Sequence, residues 1–251
     1  MKQYASLASV YDRLNYGCDY EKIANFLASE IKENERVSSS LVLDLACGTG
    51  RLTFLLRDRG FDMTGIDLSE EMLSQAKALC HKEGVSDILW LCQDMRSFEL
   101  YGTVDACVCT LDSINYLTKL SDVKKCFSLV HNYLIPDGVF VFDVNTPKRF
   151  KEFYGCNDYI IEGDTTLLAW QNDYNEKSRL CKFYLSIFEE QADGSYQRYD
   201  EVQTEKCYTK KQIESALLEC GFEILHVYGD YEKKNADEHC EKWCFTVRCK
   251  K

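Results

Sequence analysis

Residues 41–52, LVLDLACGTGRL, constrain this chain more than any other stretch. The run Leu41-Val42-Leu43-Asp44-Leu45 reads as a buried strand, because its apolar positions are nearly continuous. It breaks into Ala46-Cys47-Gly48-Thr49-Gly50, and a helical pattern follows at once. Glycines let a main chain pass close to a ligand where a side chain would collide. A helix that starts near Gly50 turns free N–H groups and the positive end of its dipole toward the same space. Asp44 adds one acidic group beneath the turn.

A dinucleotide site needs G-x-G-x-x-G, whose third glycine allows close packing of helix on strand. Here Thr53 stands at that third position. A phosphate P-loop ends in Gly-Lys-Ser/Thr, which is also absent. Neither phosphate-binding pattern is therefore complete here.

The alternation of elements supports a nucleotide-binding type of sheet. Residues 20–32 carry Ile23, Phe26, Leu27 and Ile31 at helical spacing, and residues 38–40 form a polar break before the first strand. A second strand over 61–66 ends in Asp67, 17 positions beyond Gly50 and close to the roughly 20 expected for a ribose-binding acid. Ser69 is the natural cap of the next helix, with Glu70 and Glu71 in its first turn, which leaves Asp67 for a ligand. A third strand over 88–92 precedes Gln93-Asp94-Met95, where Asp94 can accept from an adenine amino group and Met95 can pack on the ring. Strands over 104–110 and 139–144 flank a helix from about 122 to 133. Strands alternating with helices predict a parallel sheet with right-handed crossovers, whose ligands sit beyond the carboxyl ends of the strands.

The pattern changes after Pro147. Residues 165–174, 180–191 and 196–208 read as strands; Cys181, Phe183, Leu185 and Ile187 alternate with Lys182, Tyr184 and Ser186. Asp193-Gly194 signals a hairpin. Residues 148–208 are expected to form a three-stranded antiparallel insertion, a lid or substrate wall on a core made of 1–147 and 209–251. The chain then returns to the core with a helix over 210–220 and two antiparallel strands over 222–228 and 243–248.

Composition narrows the partners. A formal net charge of −11 opposes nucleic-acid binding, which draws its affinity from lysine and arginine against phosphate. No apolar run approaches the ~20 residues of a bilayer span, and the first residues lack the apolar core of a signal peptide. The expectation is a cytoplasmic protein, monomer or homodimer, with no membrane partner. Fourteen cysteines without a C-x-x-C pair read as reduced thiols and give no support to a metal site. His131, His226 and His239 are expected to be structural or exposed.

LDLACGTGRL, the GIDLS of 65–69, the QDMRSF of 93–98 and the LIPDGVFVFDV of 134–144 together resemble successive motifs of class I S-adenosylmethionine (SAM)-dependent methyltransferases. The DSINYL of 112–117, the FDVNTP of 142–147 and the β-rich insertion are most similar to bacterial small-molecule methyltransferases that include aminosugar N-methyltransferases. The resemblance implies an α/β, Rossmann-like, seven-stranded, mostly parallel sheet with a reversed last strand. It also implies SAM as cofactor and in-line methyl transfer to a small molecule. Carried over, Ala46, Cys47, Gly48 and Gly50 line the methionine side, Asp67 and Leu68 the ribose, and Asp94 and Met95 the adenine. Leu111 lies beside the sulfonium, and Tyr4 and Tyr11 close over it. Tyr116, Trp170, Tyr184 and Arg198 are candidate acceptor contacts, and no catalytic residue is implied. The alternatives are a SAM-binding sensor or scaffold without catalysis, an NAD(P) oxidoreductase, and an RNA methyltransferase. The oxidoreductase is disfavoured by Thr53. Asp112-Ser113, standing in place of the Asn/Asp-Pro-Pro-Tyr/Phe motif, disfavours the RNA enzyme.

Overall fold

A computed structural model describes residues 17–36, 38, 40–155 and 157–251, so Tyr4 and Tyr11 lie outside the described residues. In chain order the first half contains α1 (Tyr20–Asn34), β1 (Leu41–Leu45), α2 (Arg51–Asp58), β2 (Asp62–Asp67), α3 (Glu70–Lys82), β3 (Leu89–Cys92), β4 (Val104–Cys109), a 3-10 turn (Ser113–Tyr116), α4 (Leu120–Tyr133) and β5 (Leu134–Asn145). A π-helical turn (Arg149–Tyr154) leads into β6 (Asp158–Glu162), β7 (Thr166–Asn175), β8 (Leu180–Glu190) and β9 (Tyr196–Lys206). The chain closes with α5 (Lys210–Glu219), β10 (Phe222–Gly229), β11 (Glu232–Asn235) and β12 (Lys242–Cys249).

The main sheet has the order β11-β10-β12-β5-β4-β1-β2-β3. Strands β1 to β5 pair in parallel, β12 runs antiparallel beside β5, and β10 antiparallel beside β12. Seven strands match the expectation; short β11 adds an eighth at the edge beyond β10. Both faces are covered. Leu43, Leu45, Cys107, Phe140 and Phe142 point into one core with α4 and α5. Val42, Ala106, Val108, Val139 and Val141 point into the other with α1, α2 and α3. Helices on both faces are why these strands read as continuous apolar runs rather than alternating ones. The local signals acted as anticipated at α3, where the Ser69 hydroxyl accepts from Met72 N at 3.2 Å, and Asp19 caps α1 in the same way at 2.9 Å. The Pro136-Asp137-Gly138 turn falls inside β5, where Leu134 pairs with Val104 and Val139 with Ala106, leaving a bulge between them.

The insertion is four-stranded, not three-stranded: β6 joins the sheet β6-β7-β8-β9. Its alternating Tyr159, Ile160 and Ile161 were hidden by a short and half-exposed strand. One face of this sheet buries Leu168, Cys181, Phe183, Leu185 and Ile187 with Phe150 and Tyr154 of the π turn. Asn115 stitches the insertion to the core: its amide donates to the Lys206 carbonyl at 2.9 Å and its oxygen accepts from Asn145 N at 3.0 Å. Every described cysteine is free. Among the described residues no helix is long and apolar enough to cross a membrane, and no cluster of metal-ligating side chains occurs.

Candidate active site

Two cavities meet at the carboxyl ends of the parallel strands. The first, about 760 Å³, lies over β1, β2 and β3 and is lined by Ala46, Cys47, Gly48, Asp67, Leu68, Asp94, Met95 and Leu111 among others. Eight of the residues assigned to the cofactor from the sequence are thus brought to one space. Gly48 sits at φ 55°, with open space where a Cβ would stand, so its backbone faces the cavity directly. Gly50 does not line the cavity. At φ 76°, a Cβ there would meet the Trp90 ring at 2.5 Å and Ala76 at 2.9 Å, so this glycine lets the turn settle against β3 and α3.

Asp44 is buried at the floor and accepts from the Thr53 hydroxyl at 2.5 Å. Thr53, found where a third glycine was missing, therefore ties α2 to β1 through that carboxyl. Burial pushes Asp44 up to about 7; the Thr53 hydrogen bond opposes this and the Asp67 charge adds to it. Asp67 accepts from Gly48 N and Ser69 N, each at 2.8 Å. Burial raises its pKa, and those backbone donors work the other way. Each of its oxygens keeps a further lone pair. Asp94 is held by Arg96 through its main-chain N at 2.8 Å and its guanidinium at 2.5–3.0 Å. That pairing lowers the Asp94 pKa, against a smaller contribution from burial. Tyr20, Val202 and Thr204, which carried no sequence signal, also line it.

The second cavity, about 800 Å³, lies on the other side of β9 and shares Leu111 and Tyr116 with the first. Val202 and Thr204 line the first cavity and Gln203 and Glu205 the second, because successive residues of a strand point to opposite faces. Phe153, Tyr154, Trp170 and Phe183 supply aromatic walls. Trp170 Nε1 is buried and has no hydrogen-bond partner. Tyr116 Oη donates to Gln203 Oε1 at 2.8 Å.

The floor of the second cavity is ionic. Lys242 Nζ donates to Asp112 Oδ1 and Asp143 Oδ2, both at 2.8 Å, and to Asn145 Oδ1 at 2.9 Å. Asn145 Nδ2 donates to Glu205 Oε2 at 3.2 Å, and Glu205 and Asp112 are themselves hydrogen-bonded. Burial opposes the charge on Asp112, but Lys242 outweighs it and holds the pKa low. Burial raises the Glu205 pKa far above the usual carboxylate range, and the Asp112 charge raises it further. The two carboxyls are thus driven apart in proton affinity, with Glu205 the weaker acid. Leu111 and Asp112, at φ 54° and 59°, are consecutive left-handed residues, a conformation that costs about 1–3 kcal/mol per residue. The surrounding bonds hold them there: Asp112 N donates to Asp143 Oδ2 at 3.1 Å and Leu111 N to Tyr231 Oη at 3.4 Å.

Two sequence candidates fall elsewhere. Tyr184 pairs with Val202 across β8 and β9 on the outer face, is 40% exposed, and lines neither cavity. Arg198, near the start of β9, bonds Asp200 and covers the Phe188 ring, also outside both cavities. Trp170 and Tyr116 do line the second cavity. Glu205, Lys242 and Arg149 had no local motif. The available signal was on β9, where the inward positions Glu201, Gln203 and Glu205 are polar although the register buries them.

The profile of a methyltransferase-domain family matches residues 42–138. The chain is 31% identical to the putative methyltransferase YqeM of Bacillus subtilis, over 98% of this chain and 96% of that protein. It is 33% identical to the dTDP-3-amino-3,4,6-trideoxy-α-D-glucopyranose N,N-dimethyltransferase of Streptomyces venezuelae, over 88% of this chain and 92% of that one. Among solved structures, a SAM-dependent methyltransferase from Clostridium acetobutylicum superposes with a TM-score of 0.88 at 32% identity, covering 99% of both chains. With the glycine turn, the acids at the strand ends and the sheet order already in place, these likenesses show that the chain belongs to the class I SAM-dependent methyltransferases.

Proposed function

We propose that this enzyme methylates the amino group of a small, hydrophilic molecule of the aminosugar type. The observation that carries the reading is the junction of the two cavities at Leu111 and Tyr116. The first suits SAM, which supplies a methyl group on a positively charged sulfur. Its floor holds Asp44 and Asp67, which favour a cationic ligand and oppose a diphosphate. Gly48 offers open backbone, Asp67 has lone pairs left for ribose hydroxyls, and Met95 gives an apolar surface for adenine. Asp94, already held by Arg96, can still accept from an amino group through a remaining lone pair. Leu111 stands where the two cavities join, the natural place for the sulfonium.

The second cavity suits an amine. Its lining cations are engaged: Lys242 with Asp112 and Asp143, Arg149 with Glu241 at 2.5 Å, Lys22 with Glu232 at 3.1 Å, and Lys148 with the His239 carbonyl at 2.8 Å. What remains is a carboxyl pair beneath aromatic walls, a combination that attracts ammonium groups through charge and ring quadrupole alike. Trp170 Nε1 can serve a hydroxyl of the acceptor. The relatives named for dTDP-3-amino sugars point the same way. Holding nitrogen and methyl in line can by itself remove roughly 7–11 kcal/mol of barrier.

The test is to offer the purified protein SAM with dTDP-3-amino-3,6-dideoxy-α-D-glucopyranose, with its 3-hydroxy counterpart, and with glycine. Mass spectrometry should find methylation of the amino sugar alone. Methylation of the hydroxyl compound at a comparable rate would overturn the amine assignment, and methylation of glycine alone would overturn the sugar.

A further inference from the structure

The acid pair has a role that orientation alone does not require. An amine in water near neutral pH is mostly an ammonium and has no lone pair to offer, so a proton must leave it before transfer. Glu205 is 1% exposed, lines the acceptor cavity, and is bonded to Asp112 and Asn145. The groups around it come from every neighbouring element. Asp112 stands on the turn after β4, Lys242 on β12, Asp143 on β5, and Tyr154 and Arg149 on the π turn. The cluster can exchange the proton of its acid pair for one cation without changing its net charge.

We propose that Glu205 is the group that takes the proton from the ammonium of the acceptor, an assignment that rests on the amine reading above. As the ammonium docks, the proton of the acid pair leaves to solvent, so that Glu205 meets it as a carboxylate. An N–H bond then breaks, an O–H bond forms on Glu205, and the electron pair stays on nitrogen. That pair is what a sulfonium methyl requires. The net change is one proton released to solvent for each amine bound, with the acid pair back in its starting state. Lys242 fixes which partner does the work. It keeps Asp112 ionised, so the exchangeable proton resides on Glu205, the member that burial disfavours as an anion.

The experiment is calorimetry on the full-length protein saturated with S-adenosylhomocysteine, titrated with dTDP-3-amino-3,6-dideoxy-α-D-glucopyranose in buffers of different ionisation enthalpy. The expected result is release of about one proton per amine bound at pH 7 and none in Glu205→Gln. In turnover, Glu205→Gln should lose roughly 100-fold or more in kcat, within the range for proton transfer by a positioned side chain. Its affinity for S-adenosylhomocysteine should stay within about threefold. Binding without proton release in the wild-type protein, or equal release in the variant, overturns Glu205 and leaves the amine reading standing. Binding of the 3-hydroxy counterpart with no binding of the amine overturns both. The wild-type proton count does not depend on the variant folding. Should Glu205→Gln fail to fold, Glu205→Asp takes its place, and unchanged proton release and kcat in it would argue against a positioned carboxyl.

Discussion

The two cavities touch at Leu111 and Tyr116, yet they are built on different plans. The first is assembled from successive strand-end segments: the turn after β1, Asp67 after β2, Asp94 and Met95 after β3. Its polar groups are occupied mostly by backbone or by near neighbours in sequence. Asp67 holds Gly48 N and Ser69 N, Asp94 holds Arg96, and Asp44 holds Thr53. The second draws on the π turn, β7, β8, β9 and β12, and its floor is a cluster whose members are as far apart in sequence as Asp112 and Lys242. A ligand common to a large fold class can be met by a fixed sheet edge. The second cavity instead gathers side chains from the insertion and the core together.

If the difference is real, damage should fall on one side at a time. The largest effect is expected at Lys242. Lys242→Met leaves Asp112 and Asp143 without their buried counter-charge and should cost about 3–5 kcal/mol of stability, read by urea unfolding. A loss below about 1 kcal/mol would mean that the cluster does not depend on its lysine.

Asp44 gives a pH signature confined to the first cavity. Its carboxyl is raised in the folded protein to about 7, so the folded state binds the proton more tightly than the unfolded one. The associated stability is full at pH below about 4 and declines as pH rises toward 7, by about 1.4 kcal/mol per unit. The difference in unfolding free energy between wild type and Asp44→Asn should therefore move against wild type from pH 5 to pH 7. A difference independent of pH would show that Asp44 ionises normally.

Asp67→Ala should weaken SAM by about 1.5–3 kcal/mol, the range for hydrogen bonds to a charged group, while the ionic floor across Leu111 stays intact. Unchanged calorimetric affinity would reduce Asp67 to a brace for Gly48 and Ser69. The smallest effect belongs to the shared wall. Tyr116→Phe removes the hydroxyl that donates to Gln203 and should cost about 0.5–1.5 kcal/mol in stability, together with a higher KM for acceptor at unchanged affinity for SAM. A large loss of SAM affinity would place the acceptor wall within the cofactor site.

The same contrast governs what could be read from sequence. The core strands announced themselves because both faces of the parallel sheet are buried, and the turn at Gly48 and Gly50 is contiguous. Thr53 was legible as a departure from the dinucleotide pattern, but its bond to Asp44 was not, because the pattern says nothing of which strand residue it faces. In the insertion, alternation gave the strands β7 to β9 and the apolar face that holds Phe183. That alternation already placed Tyr184 opposite to Phe183, so its position outside the second cavity follows from parity. Arg198 is excluded by the same parity, sharing the face of Val202 rather than that of Glu205, and it also sits at the far end of β9. Glu205, Lys242 and Arg149 meet only through tertiary structure. Short β6 and β11 fell below the length at which a period of two stands out.

The most direct test is the structure of the protein with S-adenosylhomocysteine and the amino sugar nucleotide bound together. The adenine should lie against Met95, the ribose on Asp67 and the sulfur against Leu111, with the amino nitrogen across Leu111 beside Glu205. A cofactor seated among Trp170, Phe183 and Glu205, or an amino group on the Asp44 side of Leu111, would contradict the assignment of the two cavities.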